Sequence, residues 1–87
     1  MYTIVVYDVQ SKRVAKVCKY LRRHLTWVQN SVFEGELTPK RLSTMTEGLQ
    51  EIVNTDSDSI LIYRLYQEKS LIKQVIGIEK NTTDNIL

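Results

Sequence analysis

The sequence contains a single cysteine, so no disulfide can form within the chain. That suits a reducing compartment, and the cytoplasm is the expected location. Its three glycines are too few for a phosphate-cradling loop. No zinc-ligand spacing and no Ser-His-Asp arrangement stands out around the one histidine, His24. No apolar stretch approaches the roughly 18 to 20 residues of a membrane span. Met1 leads straight into an apolar strand, so no signal peptide is expected and no membrane partner. No internal repeat and no low-complexity tract is visible. Acid is also missing over one long stretch, between Asp8 and Glu34.

What remains is a chain of 87 residues, one domain with a small core. Oligomerisation is a natural supplement to a core of that size. Lys and Arg number 12 against 10 Asp and Glu, so a nucleic-acid role must rest on where the charges sit.

Residues 1–9 are apolar and β-branched up to Asp8, which reads as a central strand buried on both faces. Burying an unpaired carboxylate costs several kcal/mol or shifts its pKa. Asp8 therefore sits at the mouth of the sheet, caps the helix that follows, or performs chemistry. That helix is expected from Lys12, with Ser11 as its cap and Val14, Val17, Cys18, Leu21 and Leu25 as its apolar stripe. Lys12, Arg13, Lys16, Lys19, Arg22 and Arg23 occupy the other side. With no acid nearby they form either a solvated face or a phosphate-facing one. His24 at the helix end reads as a surface cap, its cation favoured by the helix dipole. Cys18 reads as buried and inert.

Residues 27–37 are expected as one edge strand. Trp27 and Phe33 within it read as packing residues, with base stacking as the alternative for either. Thr38-Pro39 opens a second helix with Leu42, Met45, Leu49, Ile52 and Val53 on its apolar side. Gly48 inside it either permits close packing or lowers helicity. Residues 54–58 form a polar turn, where Asp56 and Asp58 read as turn residues rather than metal ligands. Residues 59–66 and 71–78 are further strands joined by a turn at 67–70.

The expected class is α+β, a ferredoxin-like two-layer sandwich with a four-stranded antiparallel sheet and two helices on one face. Residues 1–78 are expected to form the domain, and 79–87 a polar C-terminal tail that is either mobile or docked, as a short extra strand or on the partner subunit. Strands 1–9 and 59–66 are apolar on both sides, yet two helices cover only one face. A symmetric homodimer packed through the bare face, or through exchanged last strands, supplies the missing cover. A two-fold axis near Asp8 would bring two carboxylates together around one Mg²⁺.

Four stretches carry a family likeness: Val6-Tyr7-Asp8-Val9, Arg13-Val14-Ala15-Lys16, the run 28–37 and the run 58–65. Together they resemble the CRISPR-associated protein two family, the small component of CRISPR spacer acquisition in antiviral defence. The likeness spans Tyr2 to about Gly77. It implies a ferredoxin-like fold and a homodimer with its sheets at the interface. It implies Asp8 as the Mg²⁺ ligand, one from each subunit, in an endonuclease for single-stranded RNA or double-stranded DNA. It also implies a role bridging the subunits of the CRISPR integrase on DNA. Tyr7, Arg13 and Phe33 match family positions implicated in activity, beside Asp8. Trp27 stands where some members carry Arg, which removes a phosphate contact. Two other readings remain: a non-catalytic structural adaptor for integrase and DNA, and an RNA-recognition-type module stacking bases on Tyr7 and Tyr63.

Overall fold

The computed structural model of the chain describes residues 1–66 and 70–78. The expected turn at 67–70, apart from its last residue, and the tail at 79–87 lie outside the described residues. Seven elements follow one another: β1 (Tyr2–Asp8), α1 (Ser11–Leu21), β2 (Thr26–Gln29), β3 (Val32–Glu36), α2 (Pro39–Ile52), β4 (Ser59–Tyr66) and β5 (Ser70–Gly77). The strands form one antiparallel-paired sheet in the order β2-β3-β1-β4-β5. The class is α+β, with two helices packed on the sheet.

The strand count differs from the sequence expectation. Residues 27–37 do not run as one strand but fold into the hairpin β2–β3. Asn30 makes the turn in the left-handed region, at φ 46°. Asn is among the few non-glycine residues that enter that region at low cost. The extra turn restores the usual βαββαβ order, to which β5 adds an outer strand. It also places β2 parallel to β1 with β3 between them, as a right-handed crossover allows.

Alternation along β1 separates two environments. Thr3, Val5 and Tyr7 face the helices and are buried. Their cross-strand neighbours Phe33, Ile60 and Ile62 are buried with them. Val17 and Leu21 from α1, and Leu42, Met45 and Leu49 from α2, close this core. Each large aliphatic buried in this way contributes about 1.5 to 3 kcal/mol. Ile4 and Val6 point to the opposite face, which carries no helix among the described residues, and are only partly buried. Leu61 and Tyr63 of β4 share that second face with them.

Local signals set the helix ends. Thr38 caps α2, its Oγ1 accepting the Arg41 backbone N–H at 3.1 Å, and Pro39 follows at the first helical position. α1 departs from expectation. It begins at Ser11, its N-cap is Gln10, and the Gln10 side chain makes no capping bond to the helix backbone. The loop that enters it is held instead from far along the chain, by the residue described next.

Candidate functional site

β1 is the middle strand of the sheet, and Asp8 is its last residue. Alternation puts Asp8 on the helix-free face in line with Ile4 and Val6, and its side chain is exposed. Across the strand pair it lies opposite Ser59, which is buried. The carboxylate thus stands at the open end of a rigid strand, beside an apolar sheet face.

The backbone immediately after Asp8 is anchored by Asp58. This carboxylate is completely buried. Its Oδ1 accepts the Gln10 N–H at 3.0 Å, and its Oδ2 accepts the Asn54 N–H at 2.9 Å. Arg13 approaches both oxygens, Nε to Oδ2 at 2.6 Å and Nη2 to Oδ1 at 3.1 Å. The Arg13 guanidinium holds the Asp58 carboxyl well below the usual carboxylate range, against the opposing effect of burial. The Asn54 and Gln10 N–H groups pull in the same direction as Arg13. The Asp58 carbonyl oxygen also accepts the Ile78 N–H at 2.9 Å. Gly77 makes that approach at φ +95°, where an added Cβ would lie 2.0 Å from the same oxygen. Three stretches of chain therefore meet on one residue: the β1–α1 loop, the turn before β4, and the end of β5. Asp58 is not an ordinary turn residue, and its role was missed in the sequence reading.

Arg13, expected to act on substrate or phosphate, is committed to this junction. Its Nη2 also donates to Gln10 Oε1 and Ser57 Oγ, and its side chain is largely covered. Tyr7 and Phe33 belong to the interior beneath Asp8. Their ring centres are 6.1 Å apart, and Phe33 is wholly buried. The Tyr7 hydroxyl lies 2.7 Å from Cys18 Sγ. Burial, and then this contact, push the Tyr7 hydroxyl up to about 12. Cys18 is half-buried rather than sealed in the core.

The remaining basic residues stay on the outside. Lys12, Lys16, Lys19, Arg22 and Arg23 are all exposed along α1 and the turn that follows it. Lys16, Lys19 and Arg23 line a cleft of about 220 Å³ together with Tyr20 and Ile52. The Arg23 guanidinium sits 5.7 Å over the Tyr20 ring. His24 reverses its expectation. Burial, with help from Arg41 and Arg23, lowers its pKa, so the neutral ring is favoured over the dipole-stabilised cation. The ring packs 4.9 Å from Tyr20, and its Nδ1 is buried without a hydrogen-bond partner among the described residues.

Trp27 and Phe33 part company. Phe33 fills the core, whereas Trp27 is half in solvent. Tyr63 is buried at 6% and Tyr7 at 6%. Neither offers an open ring to a base, so Tyr7 and Tyr63 do not supply the stacking pair of an RNA-recognition-type module.

No group of three or more His, Cys, Asp or Glu side chains converges on a metal-sized site among the described residues. Among the described residues the candidate site in one chain is thus one exposed carboxylate. That donor set suits Mg²⁺, which keeps several waters and takes phosphate oxygens beside one or two carboxylates. It does not suit a closed protein cage.

Residues 1–71 match the family described as CRISPR associated protein Cas2. The chain is 49% identical over 87 residues to a protein of Pyrococcus furiosus named CRISPR-associated endoribonuclease Cas2, covering 100% of both. It is 49% identical over 88 residues to one of the same name from Thermococcus kodakarensis, again covering 100% of both. Among solved structures, one titled as the crystal structure of cas2 superposes with a TM-score of 0.74 at 42% identity, covering 100% of this chain and 98% of that one. Streptococcus pyogenes Cas2 superposes at 0.70 with 34% identity, covering 78% of this chain and 89% of that one.

Proposed function

The chain belongs to the CRISPR-associated protein Cas2 family, and on that premise we propose that it is a Mg²⁺-dependent endoribonuclease working as a symmetric homodimer. The observation that carries this reading is Asp8, an exposed carboxylate at the end of the middle strand, on the apolar face that no helix covers. Pairing that face with its copy covers what remains exposed of Ile4 and Val6, and brings two Asp8 carboxylates toward one axis. The pair would hold Mg²⁺, which when bound polarises a phosphoryl oxygen and lowers the pKa of its water. Asp58 and Arg13 hold the loop after Asp8. Tyr7 and Phe33 support its strand from below. Lys12, Lys16, Lys19, Arg22 and Arg23 neutralise the phosphates of single-stranded RNA along α1. Cleavage forms one P–O bond to water and breaks one P–O bond in the chain. The setting is the cytoplasm, where CRISPR immunity acts. No helix of the described residues is long and apolar enough to cross a membrane.

A second reading is favoured by the five exposed basic side chains, which do not depend on Asp8. In it the dimer spans a DNA duplex and bridges two integrase subunits in spacer acquisition. Asp8→Asn separates the two. The highly purified wild type should cleave single-stranded RNA with Mg²⁺ and not with a chelator, and Asp8→Asn should fall to background. Equal cleavage by both would rule out the nuclease. Normal spacer acquisition by Asp8→Asn in cells would assign the adaptor role to the basic face.

A further inference from the structure

Trp27 is the only tryptophan in the chain, and it remains 50% exposed. Its ring is nevertheless fixed. The indole Nε1–H donates to the Asn30 carbonyl oxygen at 3.0 Å. Asn30 is the left-handed residue of the β2–β3 turn. The next residue of that turn, Ser31, accepts the Tyr7 N–H at 3.1 Å. Tyr7 immediately precedes Asp8. One turn therefore holds the indole on one side and braces β1 on the other, at the end of the sheet that carries Asp8.

Among the described residues, half of this side chain's surface is left uncovered. β2 is the outer strand of the sheet, all of its residues are exposed, and Val28 beside Trp27 is 42% exposed. Arg22 and Arg23, both exposed, stand in the turn that leads through His24 and Leu25 into β2. An indole whose N–H is already satisfied by backbone has only its π-faces left to offer. A ring already pinned loses little further freedom when something stacks on it. Nucleobases do so without sequence preference, and cationic side chains nearby hold the accompanying phosphates.

We propose that Trp27 is a stacking platform for one base of a single-stranded nucleic acid, whose backbone is held by the basic turn at Arg22 and Arg23. The proposal deepens the single-strand RNA reading above and rests on it for the strand's path past Asp8. A duplex keeps its bases stacked on one another, so the platform selects unpaired strands.

The lone tryptophan makes the test direct. The full chain, in chelator and without Mg²⁺, is titrated with a short oligouridylate, the same length of abasic oligomer, and a matched RNA duplex. Tryptophan emission should be quenched by the oligouridylate and unchanged by the other two. Trp27→Ala, followed by the anisotropy of a labelled strand, should bind about tenfold more weakly. Trp27→Phe should recover most of that loss, which a merely structural defect would not. Asp8→Asn should quench like the wild type, so a failed nuclease reading leaves this result standing and visible. Binding of the labelled strand without quenching would overturn the platform. So would an emission blue-shift with protein concentration alone, which would place Trp27 in a contact between copies.

Discussion

Replacing Asp58 with Asn keeps the side chain's shape and removes its charge, and with it the pairing to Arg13. The buried group then meets a cation and two backbone N–H donors with a weaker acceptor. The expected loss is about 2 kcal/mol of unfolding free energy, read from urea denaturation at neutral pH. The pH dependence follows from the direction of the shift. Asp58 has a folded pKa below its ordinary 3.8, so its contribution is complete above that value. It is lost as pH falls further, toward the folded pKa. Wild type and Asp58→Asn should therefore differ by a constant amount from pH 5 to pH 8 and converge below about pH 4. A gap that persists into strong acid would mean that the carboxylate's charge is not what stabilises the junction. This residue was not legible in the sequence because its partners lie 45 and 48 positions away. Locally, Asn54-Thr55-Asp56-Ser57-Asp58 looks like any polar turn. Asp8 was legible because a carboxylate ending an apolar run is out of keeping with its immediate neighbours.

At the level of elements, α1 and α2 touch through a glycine. A Cβ at Gly48 would fall 2.0 Å from the Tyr20 hydroxyl, which donates to the Met45 carbonyl at 3.2 Å. Gly48→Ala gains about 1 kcal/mol in helix propensity. It also displaces the Tyr20 ring, at a cost of about 1 to 3 kcal/mol for overpacking. The net expectation is a destabilisation of about 1 kcal/mol in the wild-type background. With Tyr20→Ala already present the same substitution should become stabilising, a change of sign that a double-mutant cycle measures directly. The two helices and their apolar stripes were readable because spacings of three and four leave little choice. The β2–β3 turn was not. Gln29-Asn30-Ser31-Val32 contains no glycine and no proline, and alternation continues through it as though the strand were unbroken. Only the tolerance of Asn for positive φ, together with an adjacent Ser, hinted at a reversal.

For the whole molecule, the two faces of the sheet have different uses. One carries the core and the basic outer helix. The other carries apolar side chains around Asp8. If the basic face tracks a phosphate backbone, Lys16→Glu with Lys19→Glu should weaken single-strand binding. It should also flatten the salt dependence of log K by about 1.4, two contacts at roughly 0.7 each. An unchanged affinity and slope would send the path over Arg64 and the loops instead. The layering itself was legible, since strands apolar on both sides need more cover than two helices provide. Which basic residues stay outside was not, because the partner that withdraws Arg13 is known only once the chain has folded. The seat at Asp58 has one more outcome. Its side chain moors the loop that follows Asp8, and its carbonyl moors Ile78. A pull on the polypeptide at Ile78 is thus shared between the β4–β5 ladder and Asp58, whose side chain holds the loop that follows Asp8.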